Sequence, residues 1–163
     1  MAGDVVSVER VINAPPEAIF ALVADASRHP EIDGSGTLVD LKPEAPHKLV
    51  LGSEFGMGMK LGIRYSMVNT VIEYEENRRI AWKAEPPPGL MARLSGGRVW
   101  RYELEPTDGG TRVRESWDVS ADKQRAILRI VAAAQTKRSI EKTLERIEQL
   151  TAAKSAPGSA AGS

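Results

Sequence analysis

The chain has 163 residues, 42% hydrophobic and 27% charged, a size and balance that predict one globular domain with a single core and room for an internal cavity. Lys+Arg 22 against Asp+Glu 22 leaves no net charge, and so no electrostatic footprint for nucleic acid or an anionic membrane. The absence of cysteine excludes disulfides, a catalytic thiol and thiolate metal sites, in keeping with a cytoplasmic protein. No apolar run approaches the roughly 20 residues of a membrane-spanning helix, so no integral membrane association is expected. The opening MAGDVVSVER has no basic stretch leading into an apolar one, so no signal peptide is expected.

Val5–Asn13 mixes β-branched with polar residues, as a half-buried strand does. Pro15 and Pro16 suit the first turn of a helix, where a missing N–H costs nothing; Ile19, Phe20, Leu22 and Val23 give that helix its apolar stripe. Asp25 is placed to cap a second short helical turn, Ala26–Ile32, which the run Asp33-Gly34-Ser35-Gly36 ends. From there to Val119 the pattern is β. Thr37–Lys42 is a short strand and Pro43–Leu51 a loop. In the next strand Phe55, Met57 and Met59 alternate with Gly56, Gly58 and Lys60. Gly62 is expected to turn the chain into a strand over Ile63–Tyr74, on which the facing of Arg64, Tyr65 and Asn69 depends on where that turn falls. Arg79–Glu85 groups Ile80, Trp82 and Ala84. Pro86–Gly97 is a long connection with a helical turn at Leu90–Leu94, and Arg98–Glu105 groups Trp100, Tyr102 and Leu104. Asp108-Gly109-Gly110 is a hairpin signal, after which Thr111–Val119 groups Val113, Glu115, Trp117 and Val119.

Ser120 is expected to cap a final helix. On it Ile127, Val131, Ala134, Ile140, Leu144, Ile147 and Leu150 or Thr151 recur at helical spacing for about eight turns, on the order of 45 Å. The first half of this stripe is rich in alanine, which would leave volume between helix and sheet. Residues 1–151 are expected to form the domain and the small, polar residues 152–163 a disordered tail.

Three stretches carry a family resemblance: INAPPEAIFALVADASRHPEID, the hairpin ELEPTDGGTRVRESWDV and the end helix SIEKTLERIEQL. Together with the element order they resemble the START-like, or helix-grip, superfamily, which includes the birch-allergen proteins. The closest likeness is to its polyketide cyclase/dehydrase and lipid-transport branch (SRPBCC). The resemblance covers about Val5 to Leu150. It implies an α+β fold in which a seven-stranded antiparallel sheet wraps around a long C-terminal helix, with two short helices between strands 1 and 2. It further implies an apolar cavity for a hydrophobic ligand.

Several chemistries are set aside. Gly56, Gly58 and Gly62 echo a dinucleotide loop, but strict alternation puts them in a strand with no helix N-terminus following to meet phosphates, so no cofactor is expected. His29 and His47 stand in no metal-ligand pattern, so no metal is expected; His29, before Pro30, reads as a surface or helix-junction residue. No activated-nucleophile turn is present, and no catalytic residue is assigned.

The cavity candidates are Phe55, Met57, Met59, Trp82, Trp100, Tyr102, Glu115, Trp117, Val131 and Ala134. The aromatic residues serve equally as core, where each buries about 150–250 Å², and the methionines suit either core packing or an irregular apolar ligand. Glu115 interrupts an apolar row. It must meet a partner such as Arg10, meet water or ligand in a cavity, or face outward through a bulge. The functional expectation is a carrier or sensor of a small hydrophobic or amphipathic molecule such as a lipid or polyketide. The alternatives are a polyketide aromatase/cyclase and a ligand-free interaction module. The Pro43–Leu51 and Pro86–Gly97 loops are the expected rim. Ligand identity, turnover and oligomeric state are not legible.

Overall fold

The computed structural model describes residues 3–36, 38–41, 47–61 and 63–155. Seven strands form one antiparallel sheet: β1 (Val5–Ile12), β2 (Leu38–Leu41), β3 (Glu54–Leu61), β4 (Ile63–Glu75), β5 (Arg79–Glu85), β6 (Arg98–Thr107) and β7 (Gly110–Asp118). Their order is β1-β7-β6-β5-β4-β3-β2, so the first strand lies beside the last and β2 is at the far edge. The β1–β2 connection therefore has to cross from one edge of the sheet to the other. It does so through α1 (Pro16–Val23), a 3₁₀ turn (Ala26–Arg28) and α2 (His29–Ile32).

Local chemistry explains these elements. Pro16 opens α1 with Glu17 in its first turn, and Ile19, Phe20, Leu22 and Val23 are all buried. Asp25 caps the 3₁₀ turn, its carboxylate accepting from the Ser27 backbone N–H at 3.0 Å. In β4 the register slips between Val71 and Glu73. This bulge leaves Ile72 exposed and brings both Val71 and Tyr74 to the inner face, which bends the sheet there. The turn expected at Gly62 lies outside the described residues, as does 42–46 of the expected Pro43–Leu51 loop.

The C-terminal helix differs from expectation at its start. Asp122, not Ser120, organises the entry: its carboxylate accepts from the Gln124 N–H at 2.7 Å and from Arg98 and Ser95. The helix then comes in two pieces, α4 (Arg125–Val131) and α5 (Ala133–Ser155), separated at Ala132. Leu128 and Ala132 continue the inner stripe of α5 at helical spacing and pack towards the core, so Ile127 and Val131, a residue out of phase with it, sit on solvent. From Ile140 onward the stripe runs as the spacing predicts: Ile140, Leu144, Ile147 and Thr151 are buried. Helix α5 is held on the sheet by a bidentate pair from β1, with Arg10 Nη2 2.9 Å and Nε 3.2 Å from the Glu148 carboxylate. It is held on the β1–β2 connection at Gly34, whose N–H donates to Thr143 Oγ1 at 2.9 Å. A side chain at Gly34 would overlap the Ser139 carbonyl and the Thr143 nitrogen, so only glycine lets the connection lie flat on the helix.

Candidate functional site

Register fixes the inner face of the sheet. Trp82 pairs with Trp100 and Trp100 with Trp117, giving a continuous aromatic row across β5, β6 and β7. One step along, Ile80 pairs with Tyr102, Tyr102 with Glu115 and Glu115 with Val8 of β1. The Trp100 and Trp117 ring centroids are 6.3 Å apart, and those of Trp82 and Tyr102 5.6 Å. Between this face and the first turns of α5 lies a cavity of about 290 Å³, at the small end of the ~300–1,000 Å³ of small-molecule sites.

Of the residues expected in the cavity, Met59, Trp82, Trp100, Tyr102, Glu115 and Trp117 line it. Phe55 is buried behind the wall, edge-on to Trp82 at 5.6 Å. The side chain of Met57 lies outside the described ones, as do those of Arg64 and Tyr65. Val131 and Ala134 are exposed and do not line the cavity: nine and six residues before buried Ile140, they stand on other sides of the helix from it, and the expected stripe is in the wrong phase there. Among the described residues neither the Pro43–Leu51 nor the Pro86–Gly97 connection contributes to the wall. Leu49 is instead buried beneath α1, its N–H bonded to the Ala24 carbonyl at 2.7 Å.

Glu115 is the chemically distinctive group. It is 3% exposed. Arg10 does not pair with it: Arg10 stands opposite Val113 and reaches over the sheet edge to Glu148. The neighbour of Glu115 is Tyr102, directly across the β6–β7 ladder and hydrogen-bonded to it. The second carboxyl oxygen, Oε2, is buried without a partner. Burial pushes the Glu115 carboxyl up to about 8, the Tyr102 bond opposing and the Asp33 charge adding to the rise. Burial also raises the Tyr102 phenol well above its ordinary value, with the Glu115 charge contributing. Near neutral pH the pair is therefore mostly a neutral acid beside a neutral phenol.

Several other polar groups in the wall are already engaged. Asp33 accepts from Ser35 and from the Leu38 N–H, Asn69 donates to the Phe55 carbonyl, and Arg98 is spent on Asp122, which is 1% exposed. His29 stands at a helix junction as expected, but it is buried and not on the surface. Its Nε2–H donates to the Val23 carbonyl at 2.8 Å and its ring stacks on Trp82 at 5.0 Å. Desolvation lowers its pKa and keeps it neutral. Nothing in the spacing around His29 signals this. Its burial comes from the docking of α2 onto β3 and β5.

The match to known proteins rests on the same architecture. A model of the family described as polyketide cyclase / dehydrase and lipid transport matches residues 4–151. The chain belongs to that family. An uncharacterized protein of Mycobacterium tuberculosis, Rv0088, is 38% identical over 112 residues, covering 68% of this chain and 45% of that protein. The chain thus matches about half the length of this curated relative. Among solved structures, protein NE0264 from Nitrosomonas europaea superimposes with a TM-score of 0.69 at 15% identity, over 96% of this chain and 99% of that one. The AHSA1-like protein from Aeromonas hydrophila gives 0.64 at 16% identity over 93% and 94%. At these identities the likeness shows the helix-grip fold alone.

Within the polyketide cyclase / dehydrase and lipid transport fold, this chain roofs its cavity with a polar helix face. Ala132, Gln135, Thr136, Ser139 and Thr143 line it from above. Their spacing of three and four is legible in the sequence as a small, polar stripe that runs into Ile140 and Leu144. The expected alanine face sits one residue out of phase with it.

Proposed function

We propose that this protein binds a small hydrophobic or amphipathic molecule between its tryptophan row and the start of α5, as a carrier or sensor. The observation that carries this reading is the cavity itself. Apolar and aromatic side chains form most of its wall, with a few polar groups among them, Glu115 with its unpartnered Oε2 included, which is the general form of small-molecule sites. Its volume suits one compact molecule and is too small for a two-chain lipid. The family description, which names both polyketide cyclisation and lipid transport, supports a hydrophobic ligand.

A polyketide aromatase/cyclase is the second reading, favoured by the Glu115–Tyr102 pair, which could act as general acid and enolate stabiliser. Against it, the remaining titratable groups of the wall, His29, Asp33 and Arg98, are held by structural partners. Native mass spectrometry of protein purified from its own host, compared with the denatured protein, tests the reading. An apolar metabolite released on denaturation supports it. A ligand-free mass, combined with no change in tryptophan emission when Nile red is added, would sink it.

A further inference from the structure

Among the described residues that line the cavity, Glu115 is the one with a fully buried side-chain atom lacking a partner, and this sets a constraint on what the cavity holds. We infer that Glu115, as a neutral carboxylic acid braced by Tyr102, donates a hydrogen bond from Oε2 to an uncharged oxygen acceptor, such as a ketone or ester carbonyl, on an otherwise apolar ligand. This inference rests on the cavity-binding reading above and gives it a ligand class.

Tyr102 faces Glu115 across the ladder and hydrogen-bonds its carboxyl group, while Oε2 is buried beside the cavity without a protein partner. A buried donor or acceptor with nothing to bond costs about 1–3 kcal/mol, so a ligand that satisfies Oε2 removes a penalty the empty cavity carries. An acid donor needs an acceptor. An alkyl or aryl ligand without oxygen would leave Oε2 unsatisfied.

The charges facing the cavity decide against an anion. From α2 and the residue after it come neutral His29 and the carboxylate Asp33; from β6 come Tyr102 and Arg98. Helix α5 presents no charged group there among the described residues, and β4 presents Met67 and Asn69. Arg98, the one cation of the wall among the described residues, stands four positions before Tyr102, on the order of 13 Å along the strand, and it already pairs with Asp122 at 3.2 Å. A fatty-acid or aryl carboxylate would thus enter a desolvated site with no free cation and with Asp33 nearby, and would pay its dehydration uncompensated.

Three probes of one ring system test this: 2-acetylnaphthalene, 2-naphthoate and 2-ethylnaphthalene, titrated into the full-length chain by calorimetry and by tryptophan emission. All three tryptophans line the cavity, so emission reports directly on it. The acetyl compound is expected to bind at least about tenfold more tightly than the other two, a difference of about 1.4 kcal/mol. Its affinity should fall above about pH 8 while that of the ethyl compound does not. Glu115→Gln, which keeps an N–H donor, should retain the preference. Glu115→Leu should reduce acetylnaphthalene to the affinity of ethylnaphthalene, with circular dichroism confirming that the variant is folded. Naphthoate binding as tightly as the ketone, or a carbonyl preference that survives Glu115→Leu, would overturn the role given to Glu115. Binding of the hydrocarbon without any carbonyl preference sinks that role alone, whereas no binding by any of the three sinks the cavity-binding reading with it.

Discussion

A buried acid that holds its proton makes the fold less stable as pH rises, and the effect is large enough to measure. Glu115 titrates near pH 8 in the folded protein against about 4.5 in the unfolded chain. Between those values the folded state holds a proton that the unfolded state has lost, so the slope of unfolding free energy with pH is negative. The contribution is full below about pH 4.5 and disappears as pH rises through 8. Each pH unit inside the window is worth about 1.4 kcal/mol, or up to about 5 kcal/mol across it. That is a substantial share of the ~5–15 kcal/mol typical of a domain. His29 acts in the opposite sense: its lowered pKa adds stability above about pH 6.5 that is lost on acidification. The window from pH 6.5 to 8 therefore isolates Glu115 best. Urea unfolding followed by far-ultraviolet circular dichroism should show wild type losing about 1.5–2 kcal/mol over that range relative to Glu115→Gln, whose neutral amide does not titrate. Parallel profiles for the two proteins would refute the reasoning. They would mean that Glu115 is ionised and hydrated in the folded state, and the cavity would then be wet and indifferent to ligand charge.

Two further substitutions probe how the cavity is framed. Gly34→Ala should cost about 1–3 kcal/mol, because the new methyl meets helix backbone and not a yielding side-chain end. It should also displace α5 and weaken acetylnaphthalene binding, which a thermal melt and a titration on the same sample will show together. Asp122→Ala removes the acceptor shared by Arg98, Ser95 and the Gln124 N–H and should cost about 2–3 kcal/mol. For a chain of this length that is a fall in Tm of roughly 4–12 °C, read by calorimetry.

How much of this was legible in the sequence depended on whether the signal was local. Strand β5 begins at Arg79 and ends at Glu85, as alternation predicts, because both ends are fixed by turn residues and one face by Ile80, Trp82 and Ala84. The cap at Asp25 and the helical turn Leu90–Leu94 were equally local. Strand parity alone put the three tryptophans, Tyr102 and Glu115 on one face. Features set by the meeting of distant elements were not legible. The break at Ala132 falls in a run of alanines, the best helix formers, which carry no mark of it. His29 is buried by elements that adjoin it only in space. Arg10, expected as a partner for Glu115, pairs with a different carboxylate, Glu148 of α5, 138 residues away.

That distance bears on how the protein comes to have a cavity at all. Strand β1 closes the sheet against β7, with Val5 opposite Asp118, and α5 is pinned to β1 by the last third of the helix. The space over the tryptophan row is thus enclosed only after the two ends of the chain have met. Contacts of such sequence separation carry a loop-closure cost that slows folding. Until that closure the most aromatic surface of the molecule stands open, at the stage when exposed apolar surface invites aggregation. A ligand that binds only the closed form would add stability by mass action once closure has occurred. Supply of the ligand would then raise the recovered yield of folded protein without hastening the step that builds its site.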